Sequence, residues 1–334
     1  MTSTHLINTR FEPAWWLPNC HAQTIYPARC RQILSPPTQR ERLITPDNDF
    51  IDIDWCGEHG KPLVILLHGL TGSSASIYIK SLQHALLKNH YRSVALNFRG
   101  CSGESNRSYR CYHSGETSDL HFLYQTLRQR EPHTPMAAVG FSLGGNVLLK
   151  WLGEYAVDLF AAVAISVPFV LSDCANKLDT GFSKLYRHNL LVELKTYITN
   201  KQHHLKAIGC FEDAQKIEAL GDLSNISSFW EYDGRVVAKL HGFKDAIDYY
   251  TQSSSRQFIS KISVQTLLIH ASDDPFMTKN VIPTVGELSP SVFLELTQKG
   301  GHVGFVSGCH PLKPIYWLDQ RIPEFLKEKS PFKI

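Results

Sequence analysis

Met136-Ala137-Ala138-Val139-Gly140-Phe141-Ser142-Leu143-Gly144-Gly145-Asn146-Val147-Leu148-Leu149-Lys150 reads in one pass as a strand, a sharp turn and a helix. The apolar run up to Val139 has the composition of a strand buried on both faces. At the turn, Ser142 sits in a G-x-S-x-G spacing. A turn this tight strains the backbone of its central residue, and only small neighbours let helix and strand come that close. The serine hydroxyl then stands clear of the sheet as a candidate nucleophile. The Leu143 N–H, opening the helix, points toward the oxyanion that forms if Ser142 attacks a carbonyl. A glycine-rich turn that merely contains serine has the same five letters; the strand before and the helix after favour the nucleophile.

Upstream, Leu63 to Leu67 is another continuous apolar strand, and His68-Gly69-Leu70-Thr71-Gly72 follows it. A glycine-containing loop leaving a central strand can aim backbone N–H groups at a developing negative charge, which makes the Leu70 N–H the candidate second donor. Ile79, Leu82 and Leu86 mark a helix face, Ser93 to Asn97 a strand, and Leu120, Leu123, Tyr124 and Leu127 a second helix at i, i+3, i+4, i+7. Between these last two lies a long polar loop, Phe98 to Thr117, of the kind that is functional or disordered. His113, within it, is a weaker candidate base, because it precedes Ser142 and has no acid at a strand end beside it. Arg40–Thr45 and Phe50–Trp55 form a hairpin whose second strand alternates Ile51, Ile53, Trp55 with Asp52, Asp54.

Downstream, Phe160 to Val167 is a buried strand, and then the period changes. Residues 171–255 look helical with no convincing strand, an insertion between sheet strands best read as a cap. Glu231, Asp233, Arg235, Asp245 and Asp248 in it are expected to form a solvated face. The sheet resumes at Val264 to His270, ending at Asp273-Asp274-Pro275, and again at Val292 to Leu296, ending at Gly300-Gly301-His302. Ile315, Leu318, Ile322 and Phe325 mark a closing helix kinked at Pro323. Residues 1–38, rich in proline and aromatic groups, read as an irregular arm packed on the core. Trp15, Trp16 and Leu17 serve there as a buried staple or line a substrate mouth. The organisation expected is an arm (1–38), a core in two parts (39–170 and 256–334) and a helical cap (171–255), making an α/β fold with a mostly parallel central sheet flanked by helices.

Composition narrows the classes. Lys+Arg 34 against Asp+Glu 31 leaves a net charge of +3, and no stretch concentrates basic residues, so a nucleic-acid partner is not indicated. The longest nearly unbroken apolar run, Leu159 to Leu171, has 13 residues, short of the ~18 that cross a bilayer. The N-terminus has no basic segment leading into an apolar one, which points to the cytoplasm and to no membrane span. Eight cysteines are an even number, but the chain's length and the missing secretory signal argue against a disulfide framework, and the absence of a C-x-x-C argues against a zinc site. No metal site is expected.

A serine on a turn, an acid after one strand and a histidine after the next supply nucleophile, orienting acid and base in the order Ser, Asp, His. His302, between glycines, is the base. Asp273 and Asp274 compete for the acid; Asp274, directly before Pro275, is favoured, and Asp273 suits a turn cap.

Taken together, His68 to Gly72, Asn97 to Glu104, Tyr112 to Thr117, Gly140 to Lys150, Ala271 to Met277 and Gly300 to Phe305 resemble the YheT-type branch of the α/β-hydrolases. Trp16-Leu17-Pro18-Asn19 with His21 and Gln23-Thr24-Ile25, and His241-Gly242-Phe243, resemble it too. The resemblance spans nearly the whole chain. It implies the α/β-hydrolase fold, a serine hydrolase with Ser142, Asp274 and His302 as triad, esterase or lipase-like action on small-molecule acyl esters, and no cofactor. Eukaryotic members of the branch are typically membrane-anchored and include phospholipid and acylglycerol lipases. The lack of such an anchor makes this chain look like the soluble bacterial form, with peripheral lipid contact at most. An acyltransferase using the same triad and a non-catalytic ligand-binding relative are the alternative readings, and the oligomeric state is open.

Overall fold

A computed structural model describes residues 5–331. Its frame is a single sheet of strands β1 (Gln39–Ile44), β2 (Phe50–Cys56), β3 (Leu63–Leu67), β4 (Arg92–Asn97), β5 (Met136–Phe141), β6 (Ala161–Ile165), β7 (Thr266–Ala271) and β8 (Val292–Thr297), in the order β1-β2-β4-β3-β5-β6-β7-β8. The hairpin strands β1 and β2 and the β2–β4 pair are antiparallel; from β4 across to β8 every pairing is parallel. All of β3, β5, β6 and β7 is buried, because helices cover both faces. That is the physical reason their sequences run apolar without alternation.

Helices α2 (Ile77–Lys88), α3 (Ser118–Arg130) and α4 (Leu143–Glu154) follow β3, β4 and β5 in the βα rhythm anticipated from the apolar periods. Helix α11 (Leu318–Lys329) packs on α2. It is shorter than the sequence period suggested: Ile315 instead pairs with Ser307 in a two-residue ladder, so the apolar spacing overran the helix start. At the far edge, the segment around Leu6 bridges Leu294 in parallel, with the Ile7 N–H donating to the Leu294 carbonyl at 2.9 Å. That pairing satisfies edge groups of β8 that would otherwise be a template for another chain.

Residues 20–30 are not irregular. They form helix α1 (Cys20–Cys30), N-capped by the Asn19 side chain, which accepts from Ala22 N–H. Its apolar residues are not concentrated on one face, so no period signals it, and tertiary packing decides it. Of the staple residues, Leu17 is buried whereas Trp15 is exposed and hydrogen-bonded through its indole to the Cys309 carbonyl. Between β6 and β7 run α5 (Leu171–Leu178), α6 (Ser183–Ala207), α7 (Phe211–Glu218), α8 (Phe229–Tyr232), α9 (Ala238–His241) and α10 (Ala246–Ser253), with a separate apolar cluster of their own. The solvated face expected for this segment fails at Asp233, which is buried. Among the described residues no helix is long and apolar enough to cross a membrane.

The long loop between β4 and α3 is held by charge. The buried Arg99 guanidinium donates to both Asp119 oxygens at 2.7 and 2.8 Å and to Asp47 and Asp49. Asp49 in turn accepts from the Arg107 N–H, the Asn106 amide and the Ser108 hydroxyl.

Close approach at the β5–α4 turn leaves no room for a side chain. A methyl group on Gly144 would lie 2.4 Å from the His68 carbonyl oxygen, and one on Gly140 would lie 2.5 Å from the Gly144 carbonyl oxygen. Both contacts are with backbone, which cannot swing aside. Gly144→Ala is therefore expected to lower the free energy of unfolding by about 1–3 kcal/mol; guanidinium titration of wild type and variant measures it.

Candidate active site

The site forms where strand ends converge. β5 delivers Ser142 with φ +51 and ψ −119, a conformation non-glycine residues rarely adopt. The Ser142 N–H, donating to the Ile165 carbonyl at 2.8 Å, ties the strained residue to β6 and keeps it in place.

Asp274, three residues past β7, is nearly fully buried. One of its oxygens accepts from the Phe276 N–H at 2.9 Å and the other meets His302 Nδ1 at 2.8 Å. A carboxylate only accepts, so Nδ1 carries the proton and Nε2 is the free base. Nε2 lies 3.0 Å from the Ser142 Oγ, whose hydroxyl donates to it. The structure thus brings Ser142, His302 and Asp274 into one hydrogen-bonded chain. Asp273 points elsewhere: its carboxylate accepts from the Gly301 N–H at 3.0 Å, bracing the histidine loop. Burial raises the Asp273 carboxyl above its ordinary range, and the adjacent Asp274 charge adds to that.

Leu70 and Leu143 both line the cavity at Ser142. The backbone amides around Leu70 are sorted by two tyrosines. The Gly69 N–H donates to the Tyr78 hydroxyl at 2.8 Å and the Thr71 N–H to the Tyr112 hydroxyl at 3.0 Å. The amide between them, like that of Leu143, has no acceptor among the described residues. The carbonyl of the Gly69–Leu70 peptide is held from the other side. His68 Nε2 accepts from the Phe98 N–H at 3.2 Å, so its Nδ1–H donates to the Gly69 oxygen at 2.7 Å. Burial lowers the pKa of His68 to about 4, keeping the ring neutral in that tautomer.

His113, the weaker candidate base, has no hydrogen bond to Ser142; its Nδ1 accepts from the Gly115 N–H and its ring packs on His241. Other positioning groups carry no local signal in the sequence. Phe276 stacks on the His302 ring at 4.1 Å between centroids. The Thr24 hydroxyl of α1 accepts from the His302 N–H at 2.9 Å, and the Gln23 side chain both accepts from and donates to the backbone of Val306. A methyl on Gly304 would strike the Gln23 carbonyl oxygen at 2.2 Å, which is why α1 can lie so close. Their trace in the sequence is that Gln23, Thr24, Phe276 and Gly304 all fall within the stretches quoted for the resemblance.

From Ser142 a cavity of about 420 Å³ runs between the strand ends and the helices of residues 171–253, with walls that include Leu171, Leu190, Leu194, Val236 and Leu240. Among the described residues, no group of three or more His, Cys, Asp or Glu side chains is placed to hold a metal ion.

Several imidazoles are held neutral by burial. His68, His113 and His270 have their pKa lowered to about 4 from an unfolded value near 6.5. As pH falls, the unfolded chain takes up their protons first. The stability they lend is complete above about pH 6.5 and is lost toward pH 4. Asp233, with its carboxyl raised to about 7 by burial, opposes them by one proton. A urea midpoint that falls steadily over this window, with net proton uptake on unfolding in calorimetry, is the expected outcome.

A family model described as alpha/beta hydrolase fold matches residues 62–308. The protein named "Putative esterase YheT" of Escherichia coli (strain K12) is 40% identical over 326 residues, spanning 96% of this chain and 93% of its own. "Phospholipase ABHD3" of Mus musculus is 29% identical over 337 residues, covering 96% and 79%. Among solved structures, the esterase Pf2001 of Pyrococcus furiosus superimposes with a TM-score of 0.54 at 21% identity, over 88% of this chain and 93% of that one, a likeness of fold.

Proposed function

The chain belongs to the α/β-hydrolase family, in its esterase- and lipase-type branch, and on that footing we propose that it cleaves carboxylic acyl esters through an acyl-Ser142 intermediate. The observation that carries this reading is the unbroken chain Ser142 Oγ, His302 Nε2, His302 Nδ1, Asp274 at 3.0 and 2.8 Å, opening on a largely apolar cavity.

In this reading Ser142 Oγ bonds to the ester carbonyl carbon while its proton passes to His302 Nε2. The carbonyl oxygen gains the negative charge and faces the free N–H groups of Leu70 and Leu143, fixed in place before the charge develops. His302 then gives the proton to the departing alkoxide oxygen as the carbon–oxygen bond breaks, leaving acyl-Ser142 and an alcohol. Water attacks the acyl group with His302 again taking the proton, and the carboxylic acid leaves as Ser142 regains its hydrogen. Asp274 keeps the ring in the useful tautomer and stabilises the imidazolium formed in each half. Residues 171–255 act as the cap that shields the acyl-enzyme, residues 39–170 and 256–334 as the core, and residues 1–38 as an arm bracing the His302 loop. The apolar walls suit short- to medium-chain esters or acylglycerols.

A fluorophosphonate probe is expected to label the wild type and spare Ser142→Ala; equal labelling of both would end this reading. On p-nitrophenyl esters of increasing acyl length, Ser142→Ala and His302→Ala are each expected to lose on the order of 10³-fold or more in kcat, because such groups act as a unit. The two neighbouring acids separate sharply. Asp274→Asn is expected to cost on the order of 10³-fold or more by removing the tautomer anchor, and Asp273→Asn less than about tenfold, since it braces only the loop backbone.

A further inference from the structure

Asp233 is a carboxyl that the reaction above does not use. Most buried acids here are matched by a cation: Asp49, Asp52, Asp54, Glu116, Asp119 and Glu295 each face an arginine, and Asp274 faces His302. Asp233 faces none. It is 8% exposed, and its one partner among the described residues is the Tyr250 hydroxyl, which donates to Oδ2 at 2.6 Å. The other oxygen, Oδ1, has no partner among the described residues, and the residue lines the same cavity as Ser142. No hydrogen bond or ion pair joins Asp233 to Ser142, His302 or Asp274, so the cavity has a second polar point apart from the reacting one.

The backbone is unusual at this position as well. Asp233–Val237 is a π-helical turn between α8 and α9, a wider and less stable winding that recurs where a side chain must be aimed for function. An acid buried without a cation is strongly disfavoured in its ionised form, and burial raises this one to about 7. Near neutral pH it is held protonated in a large share of molecules, and in that form it both donates and accepts.

We propose that Asp233, braced by Tyr250, is a substrate-recognition group that takes a neutral hydroxyl carried by the substrate away from its ester bond. A hydroxyl matches a group able to donate and accept, and it completes Oδ1 without moving a charge into an apolar wall. An ammonium group would demand an ionised carboxylate and a desolvated ion pair, which gains little unless every other polar atom is satisfied. The cavity walls then measure chain length and Asp233 reads the hydroxyl. The inference rests on the reading of Ser142 as an ester-cleaving nucleophile, because that reading makes this cavity the substrate's.

The test is binding, which needs no turnover. Hexane-, octane- and decane-diols are titrated calorimetrically into the wild-type protein beside the alcohols with one hydroxyl and the matching amino-alcohols. At the length that spans the cavity, the diol is expected to bind about tenfold more tightly than the mono-alcohol, the gain of one completed hydrogen bond. Asp233→Leu is expected to remove that difference, and Asp233→Asn, which keeps a donor and an acceptor, to retain most of it. Equal affinity of diol and mono-alcohol at every length overturns the proposal, as does a preference that survives Asp233→Leu, which would assign the hydroxyl to another wall group such as His241. Tighter binding of the amino-alcohol than of the diol overturns it in favour of a cation site. The wild-type comparison stands even if the leucine variant does not fold. A protein that prefers diols but is not labelled at Ser142 by fluorophosphonate would keep the site and lose the ester reading.

Discussion

The structure turns on how closely the first turn of α4 can press against the ends of β5 and β3. Space for even one methyl is missing at Gly140 and Gly144. The closeness forces Ser142 into its left-handed conformation and sets the Leu143 amide beside the loop that carries Leu70. Strain of this kind persists only where surrounding structure over-determines it. Here the determinants are the Ser142 N–H bond to β6, the buried apolar face of α4 and the packing of glycine on backbone. A looser turn would leave the same residues present and the amides misdirected.

Polar order around that turn is built in layers from neutral groups. Two tyrosine hydroxyls occupy the amides flanking Leu70, and a neutral His68 holds the carbonyl of the same peptide. No counter-charge sits in this layer, so nothing there competes for a developing negative charge. The acid and histidine are secured differently. Asp274 is buried and accepts two donors, Phe276 stacks on the imidazole, and α1 grips the histidine loop through Thr24 and Gln23. Helix α1, remote in sequence from residue 302, is part of what sets its position.

Much of this was legible beforehand. The βα alternation, the continuous apolar runs of β3, β5, β6 and β7 and the Ser142 turn are local patterns, and local sterics and burial enforce them. Ser142, His302 and Asp274 were each marked by a glycine or proline context at a strand end. Other features were not. Helix α1 lacks an apolar stripe, so its helicity depends on the neighbours it packs against. Ile315 continued an apolar period but was claimed by strand pairing with Ser307. Asp233 stood among charged residues that all read as solvated, and only tertiary packing, with the Tyr250 hydroxyl on its carboxylate, removed it from water.

By itself, then, the sequence determined the fold class, the order of strands and helices and the residues from which a site could be made, because these follow from periodicity and from what glycine and proline permit. Tertiary structure alone decided between Asp273 and Asp274 as the hydrogen-bond partner of His302, which amide of the Gly69–Thr71 run stays free, and that Asp233 is buried without a cation. Each of these depends on distances between segments far apart in the chain, and hydrogen-bond direction and desolvation exist only once those segments have met.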